Sequence, residues 1–169
     1  MRRSFVAVAA AAVLVASVAS CSTGSATQAQ AQDLVTFGGP SGWSTQAVAG
    51  RLPDDSHVST VDGVPVVFVA GDQPGGARVR WAAAVDAADS TTPCAQLAEW
   101  LTRASAAWPS ATDTSTARTA CEQAVQQHRT AIVAAGAGAA QNAHGRVTYA
   151  ASVQDGQTLV ATLEFNADA

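Results

Sequence analysis

Cys94 and Cys121 each stand near the start of a stretch whose apolar residues recur at helical spacing. Joined as a disulfide, they would dictate how two helices can lie against each other, and nothing else in the chain constrains its fold as strongly. The first stretch opens at Thr92-Pro93, a capping threonine followed by proline at the first helical position. Its stripe is Leu97, Trp100, Leu101, Ala104 and Trp108, and Pro109 ends it. The second starts between Ser115 and Ala120, where Thr119-Ala-Cys-Glu122 matches a capping box, a pattern common by chance. Its stripe is Cys121, Ala124, Val125, His128 and Ile132, and Gly136 and Gly138 should end it. The first helix is about 15 residues, or ~22 Å, long. A short antiparallel turn would put the two helix starts at opposite ends. A bridge therefore requires the connection from Pro109 to Thr116, which can reach about 26 Å, to run back along the first helix, or the helices to cross steeply. Closing a loop of about 27 residues stabilises by roughly 3–4 kcal/mol in the chain-entropy model.

Whether the pair is bridged depends on the compartment, and the N-terminus speaks to that. Arg2 and Arg3 precede an apolar and small-residue run from Phe5 to Val18. That run of about 14 residues is too short for a ~30 Å hydrocarbon core, which needs roughly 20. A short apolar run behind two arginines, ending in small residues, reads as a cleaved secretion signal. Val18-Ala19-Ser20-Cys21 resembles the bacterial lipobox, commonly Leu, then Ala or Ser, then Gly or Ala, then Cys. The resemblance covers only residues 1–21. It implies a diacylglyceryl thioether on Cys21, cleavage before it and often acylation of the new amino group, as with palmitate. Two or three such chains, at about 0.8 kcal/mol per buried CH2, hold a protein durably to a membrane. The alternative is ordinary cleavage that frees a secreted domain. In either case the compartment is extracytoplasmic, where an even cysteine pair favours a disulfide. A metal pair or reactive thiols are the other readings of Cys94 and Cys121. There is no C-x-x-C, and the three histidines lack ligand spacing.

These readings divide the chain into a signal at 1–20, a lipidated Cys21 with a flexible tether at 21–32, and one domain at 33–169. Ser22–Gln32 holds no large apolar residue, hence the tether. About 149 residues follow the signal, enough for one domain with a real core. All nine basic residues are arginine, which with abundant Ala and Val points to a GC-rich, actinobacterium-like genome. Loss of Arg2 and Arg3 leaves seven arginines against thirteen carboxylates. Such an acidic chain, without a basic run, argues against nucleic acid as a partner. Contact with a membrane would have to come from the lipid anchor.

The rest reads as strands. His57–Val61 and Val64–Ala70 flank Asp62-Gly63, a hairpin turn signal. Ala77–Asp86 alternates, with Val79, Trp81, Ala83 and Val85 on one face and Arg78 and Arg80 on the other. A six-residue loop pairs Ala70 with Ala77 and so Phe68 with Val79. Arg146–Val153 and Gln157–Phe165 form the last hairpin. A three-residue loop, Gln154–Gly156, pairs Ala151 with Leu159 and Tyr149 with Ala161, which matches the apolar faces. The order β-β-β-α-α-β-β predicts an α+β fold: an antiparallel sheet of four to five strands with two helices on one face. The segment 34–56, with Phe37 and Trp43, should cover part of the other face.

No catalytic constellation stands out. Gly38-Gly-Pro-Ser-Gly42 lacks nucleophile-elbow spacing, and with no lysine there is no P-loop. No cofactor or metal is expected; Asp54, Asp55 and His57 read as solvated charges before a strand, and His128 as a core histidine. Arg78, Arg80 and Arg146 share the second sheet face and could hold an anionic group, since guanidinium forks suit phosphate or carboxylate. The expected role is a lipid-anchored, non-enzymatic envelope domain that binds a protein, glycan or lipid. One alternative is a small-molecule or lipid carrier, with a cavity lined by positions such as Ala83, Ala124 and Ala151. Another is a hydrolase built from scattered Ser, Asp and His.

Overall fold

A computed structural model describes residues 23–46, 52, 54–69 and 75–168. Cys21 and the secretion signal lie outside the described residues, as does most of the segment between Thr45 and Leu52. The elements are α1 (Thr23–Phe37), β1 (Ser44–Thr45), β2 (Ser56–Val61), β3 (Val64–Val69), β4 (Gly76–Ala84), α2 (Thr91–Ala107), α3 (Ala117–Gln126), β5 (Ala131–Ala139), β6 (Gly145–Gln154) and β7 (Thr158–Ala167). All strand pairs are antiparallel, in the order β2-β3-β4-β7-β6-β5, and β1 pairs with β4 beyond the end of β3. Alternate residues of the sheet, among them Val66, Val79, Trp81, Tyr149, Ala151, Leu159, Leu163 and Phe165, share one core with all three helices. The α+β architecture matches the sequence; the sheet is larger than the four or five strands expected.

The segment expected to be a tether is helical from Thr23 and runs into α1. Alanine and glutamine are good helix formers. Positions 27, 30, 31 and 34 recur at helical spacing, and Thr27, Gln30, Ala31 and Leu34 are all buried. The stripe is small and polar except for Leu34, so it carries little hydrophobic signal, yet α1 packs on β4 and β7. Gly38 ends the helix in the left-handed region, its N–H donating to Leu34 O at 3.2 Å. Phe37 and Trp43, expected on the far face, lie on the helical side instead. The Phe37 ring sits 4.7 Å from that of Trp108, and Trp43 Nε1 donates to Gln96 of α2.

Helix α3, the second of the two expected, stops at Gln126, ten residues before Gly136. His128, which takes a left-handed φ of 49°, donates its N–H to Val125 O, and Arg129 N–H reaches Ala124 O at 3.0 Å. This pair of bonds is a Schellman closure, with histidine where glycine is usual. His128 is therefore exposed rather than in the core stripe, and Ile132, expected in the same stripe, is 77% exposed on β5. The glycines read as helix breakers serve β5 instead. A Cβ on Gly138 would lie 2.6 Å from the backbone carbon of Trp108, and one on Gly136 would lie 2.2 Å from Tyr149 Oη. Because the obstacle at Gly138 is backbone, Gly138→Ala should destabilise by about 1–3 kcal/mol, at the upper end of that range. Urea unfolding of the variant checks this.

Asp62 and Gly63 both take positive φ, as the hairpin turn requires. Two other registers differ from expectation by two residues. Phe68 pairs with Ala77, not Val79, and Ala151 pairs with Ala161, not Leu159. In the second case Asp155 and Gly156 form the tight turn, and Gln157 is left out of the ladder, its carbonyl accepting Val85 N–H at 2.9 Å. Side chains alternate with period two, so a two-residue slip leaves every apolar face unchanged.

Candidate functional site

Cys94, in the first turn of α2, and Cys121 of α3 are bonded, with Cα atoms 5.7 Å apart and both residues fully buried. The connection between the helices does run back, and it is tied to the sheet on the way. Ser110 Oγ meets Tyr149 Oη at 2.7 Å, and Thr112 Oγ1 donates to Ala135 O at 2.7 Å. The Ser110 contact also satisfies the hydroxyl of a tyrosine that is wholly enclosed. On the same connection, the Ser115 side chain and then its backbone N–H hold the exposed Asp113 carboxyl below its ordinary range. That arrangement caps a turn and does not point into a site.

Arg78, Arg80 and Arg146 lie on the sheet face opposite the helices, where the register sets Arg78 beside Glu164 of β7 and Arg146 beside Asn166. They are not three equivalent free cations. Arg78 Nε and Nη2 both reach Glu164 Oε2 at 2.7 Å. Arg146 is exposed, and its Nη2 donates to Ala137 O at 3.3 Å. Arg80 is half-buried, and its Nε is sheltered from solvent without a hydrogen-bond partner. Arg78 and Arg146 are thus each tied to a neighbour and keep further N–H donors, whereas Arg80 Nε is left unsatisfied. Val67, Ala82 and Val160 are buried on the same face.

The histidines fall in three separate places. His57 is exposed on β2 with its ring stacked 5.4 Å from Phe68, His128 closes α3, and His144 is exposed between β5 and β6. Among the described residues, no three His, Cys, Asp or Glu side chains come together to hold a metal. Of the alanines that would line a carrier's cavity, Ala124 and Ala151 are packed in the core and Ala83 is half-buried.

One cleft among the described residues was not legible in the sequence, because it is built from two remote segments. Gly38–Ser41, beyond α1, lies against α2 and encloses a cleft of about 350 Å³ with Phe37, Gln96, Glu99 and Arg103. Arg103 sits 5.0 Å above the Phe37 ring and donates to Gly39 O at 3.2 Å. Trp100 Nε1 donates to Gly38 O at 3.0 Å beneath it. A smaller cleft of about 250 Å³ lies between α1 and the end of α2, where Gln30, Gln141 and Asn142 surround Trp108. Both are rim features. No family model matches the chain, and it matches neither a curated protein nor a solved structure.

Proposed function

We propose that the protein is an extracytoplasmic lipoprotein, anchored through lipid on Cys21, whose domain works by binding an envelope protein, glycan or lipid rather than by catalysis. The observation that carries the address is Val18-Ala19-Ser20-Cys21, directly behind an apolar run too short to span a bilayer. The closed Cys94–Cys121 pair is consistent with it. Two of three cysteines are sealed in the core as a disulfide, which suits an oxidising compartment and leaves Cys21 as the one thiol for acylation. The three scattered histidines and the rim clefts support binding over a reaction.

Mass spectrometry of the protein from a membrane fraction should find the mature N-terminal peptide starting at Cys21 and heavier by a diacylglyceryl group. Cys21→Ala should abolish that mass increment. An unmodified Cys21 in protein recovered wholly from the medium would replace the anchor with simple secretion.

A further inference from the structure

We infer that the free edge of β2 docks a second copy of this chain, through antiparallel pairing of β2 with β2 centred on Val58. The sheet ends in two edge strands, and the molecule treats them differently. Backbone groups of an antiparallel strand point alternately to its neighbour and away. On β5, Ala140 N–H bonds Gly145 O, so the odd-numbered residues 135, 137 and 139 face outward. Two of their carbonyls are already taken, Ala135 O by Thr112 Oγ1 and Ala137 O by Arg146 Nη2. A register irregularity between Ile132 and Ala134 bends that edge further. Those are the devices by which proteins blunt an edge.

Among the described residues, β2 has none of them. Val61 and Val64 close the two-residue turn, so Ser56, Val58 and Thr60 turn their N–H and C=O groups outward. None of these groups has a hydrogen-bond partner among the described residues. The strand carries no proline, no Asp or Glu and no Lys or Arg, and His57, Val58, Ser59 and Thr60 are all exposed. Among the described residues, Val58 is one of two large apolar side chains left exposed, at 48%.

The occupant follows from the pattern. Three outward residues spaced two apart are self-complementary under a two-fold axis at Val58: Val58 faces Val58 of the partner, and Ser56 and Thr60 exchange places. Every outward group then finds a partner, with no like charges opposed. A six-residue edge buries less than the roughly 1,200–2,000 Å² of a stable interface, so the pairing is weak and reversible. The inference does not depend on the lipid anchor.

The test uses cysteine substitutions on β2. Residues opposite in a hydrogen-bonded pair have Cα atoms about 5.5 Å apart, within disulfide reach. Val58→Cys should therefore crosslink two copies under mild oxidation several-fold faster than His57→Cys or Thr60→Cys, neither of which opposes itself. The unsubstituted protein is the blank for Cys21. Sedimentation of the unsubstituted protein at roughly millimolar concentration should show a monomer–dimer equilibrium, reflecting so small an interface. Val58→Pro should abolish it with the melting transition retained, because the N–H that proline removes points outward. Equal crosslinking at all three positions overturns the inference, as does a dimer that survives Val58→Pro. A strictly monomeric protein whose β2 accepts only an extended peptide of another protein also overturns it.

Discussion

Protein in which Cys94 and Cys121 are both replaced by alanine should lose about 3.5 kcal/mol of stability, with a melting point roughly 8–14 °C lower. The bridge spans 27 residues, which hold all but the first turn of α2, the returning connection and the first half of α3. Opening it releases that whole segment in the unfolded chain, and alanine also leaves a small void where two sealed sulfurs packed. Differential scanning calorimetry of the double variant reads the effect. A loss below about 1 kcal/mol would mean that the Ser110–Tyr149 and Thr112–Ala135 contacts alone hold the connection, since bonds of that kind contribute about 0.5–1.5 kcal/mol each.

Trp100→Ala should cost about 3–5 kcal/mol, the range for emptying a large aromatic site in a core. Trp100 is almost completely buried, its ring lies 6.4 Å from that of Trp81, and its N–H bonds Gly38 O. It is the point where α1, α2 and the sheet meet. Trp100→Phe separates the parts: most of the volume stays and the indole N–H is lost, so about 1–3 kcal/mol should remain as the cost of a stranded carbonyl. Limited proteolysis supplies the structural readout. In both variants, cleavage near Gly38–Gly42 should accelerate before cleavage in the strands. Unchanged cleavage there would show that α1 is held by its own contacts to the sheet instead.

The sequence made faces readable and registers ambiguous, for one physical reason. Val79 and Trp81 point inward under any even slip, so alternation alone cannot choose between Phe68–Ala77 and Phe68–Val79. What decided the last hairpin was the left-handed pair Asp155-Gly156 with Gln157 bulged out, a detail of turn geometry. The helical stripes of α2 were legible because they hold leucine and tryptophan. The stripe of α1 was not, because Thr27, Gln30 and Ala31 bury as well as leucine does but carry no apolar signature. β5 misled for a related reason. Ile132 continued the helical spacing of Val125, whereas Gly136 and Gly138, two apart, were the trace of a strand pressed against Tyr149 and Trp108. Of the arginines, the shared face was readable from alternation; the capture of Arg78 by Glu164 needed the β4–β7 register.

The helix that begins at Thr23 changes the mechanics of the proposed anchor. A flexible leash of about 11 residues would let the domain wander some 18 Å from its lipid. With α1 starting at Thr23 and docked on the sheet, only Ser22 separates the helix from Cys21, a reach of about 3.5 Å. If Cys21 carries the proposed lipid, such a domain would stand on the bilayer like a plaque on a short stud. Its height and tilt would then be set by the direction of α1, and it would meet its neighbours sideways, within the plane of the membrane, rather than by reaching outward from it.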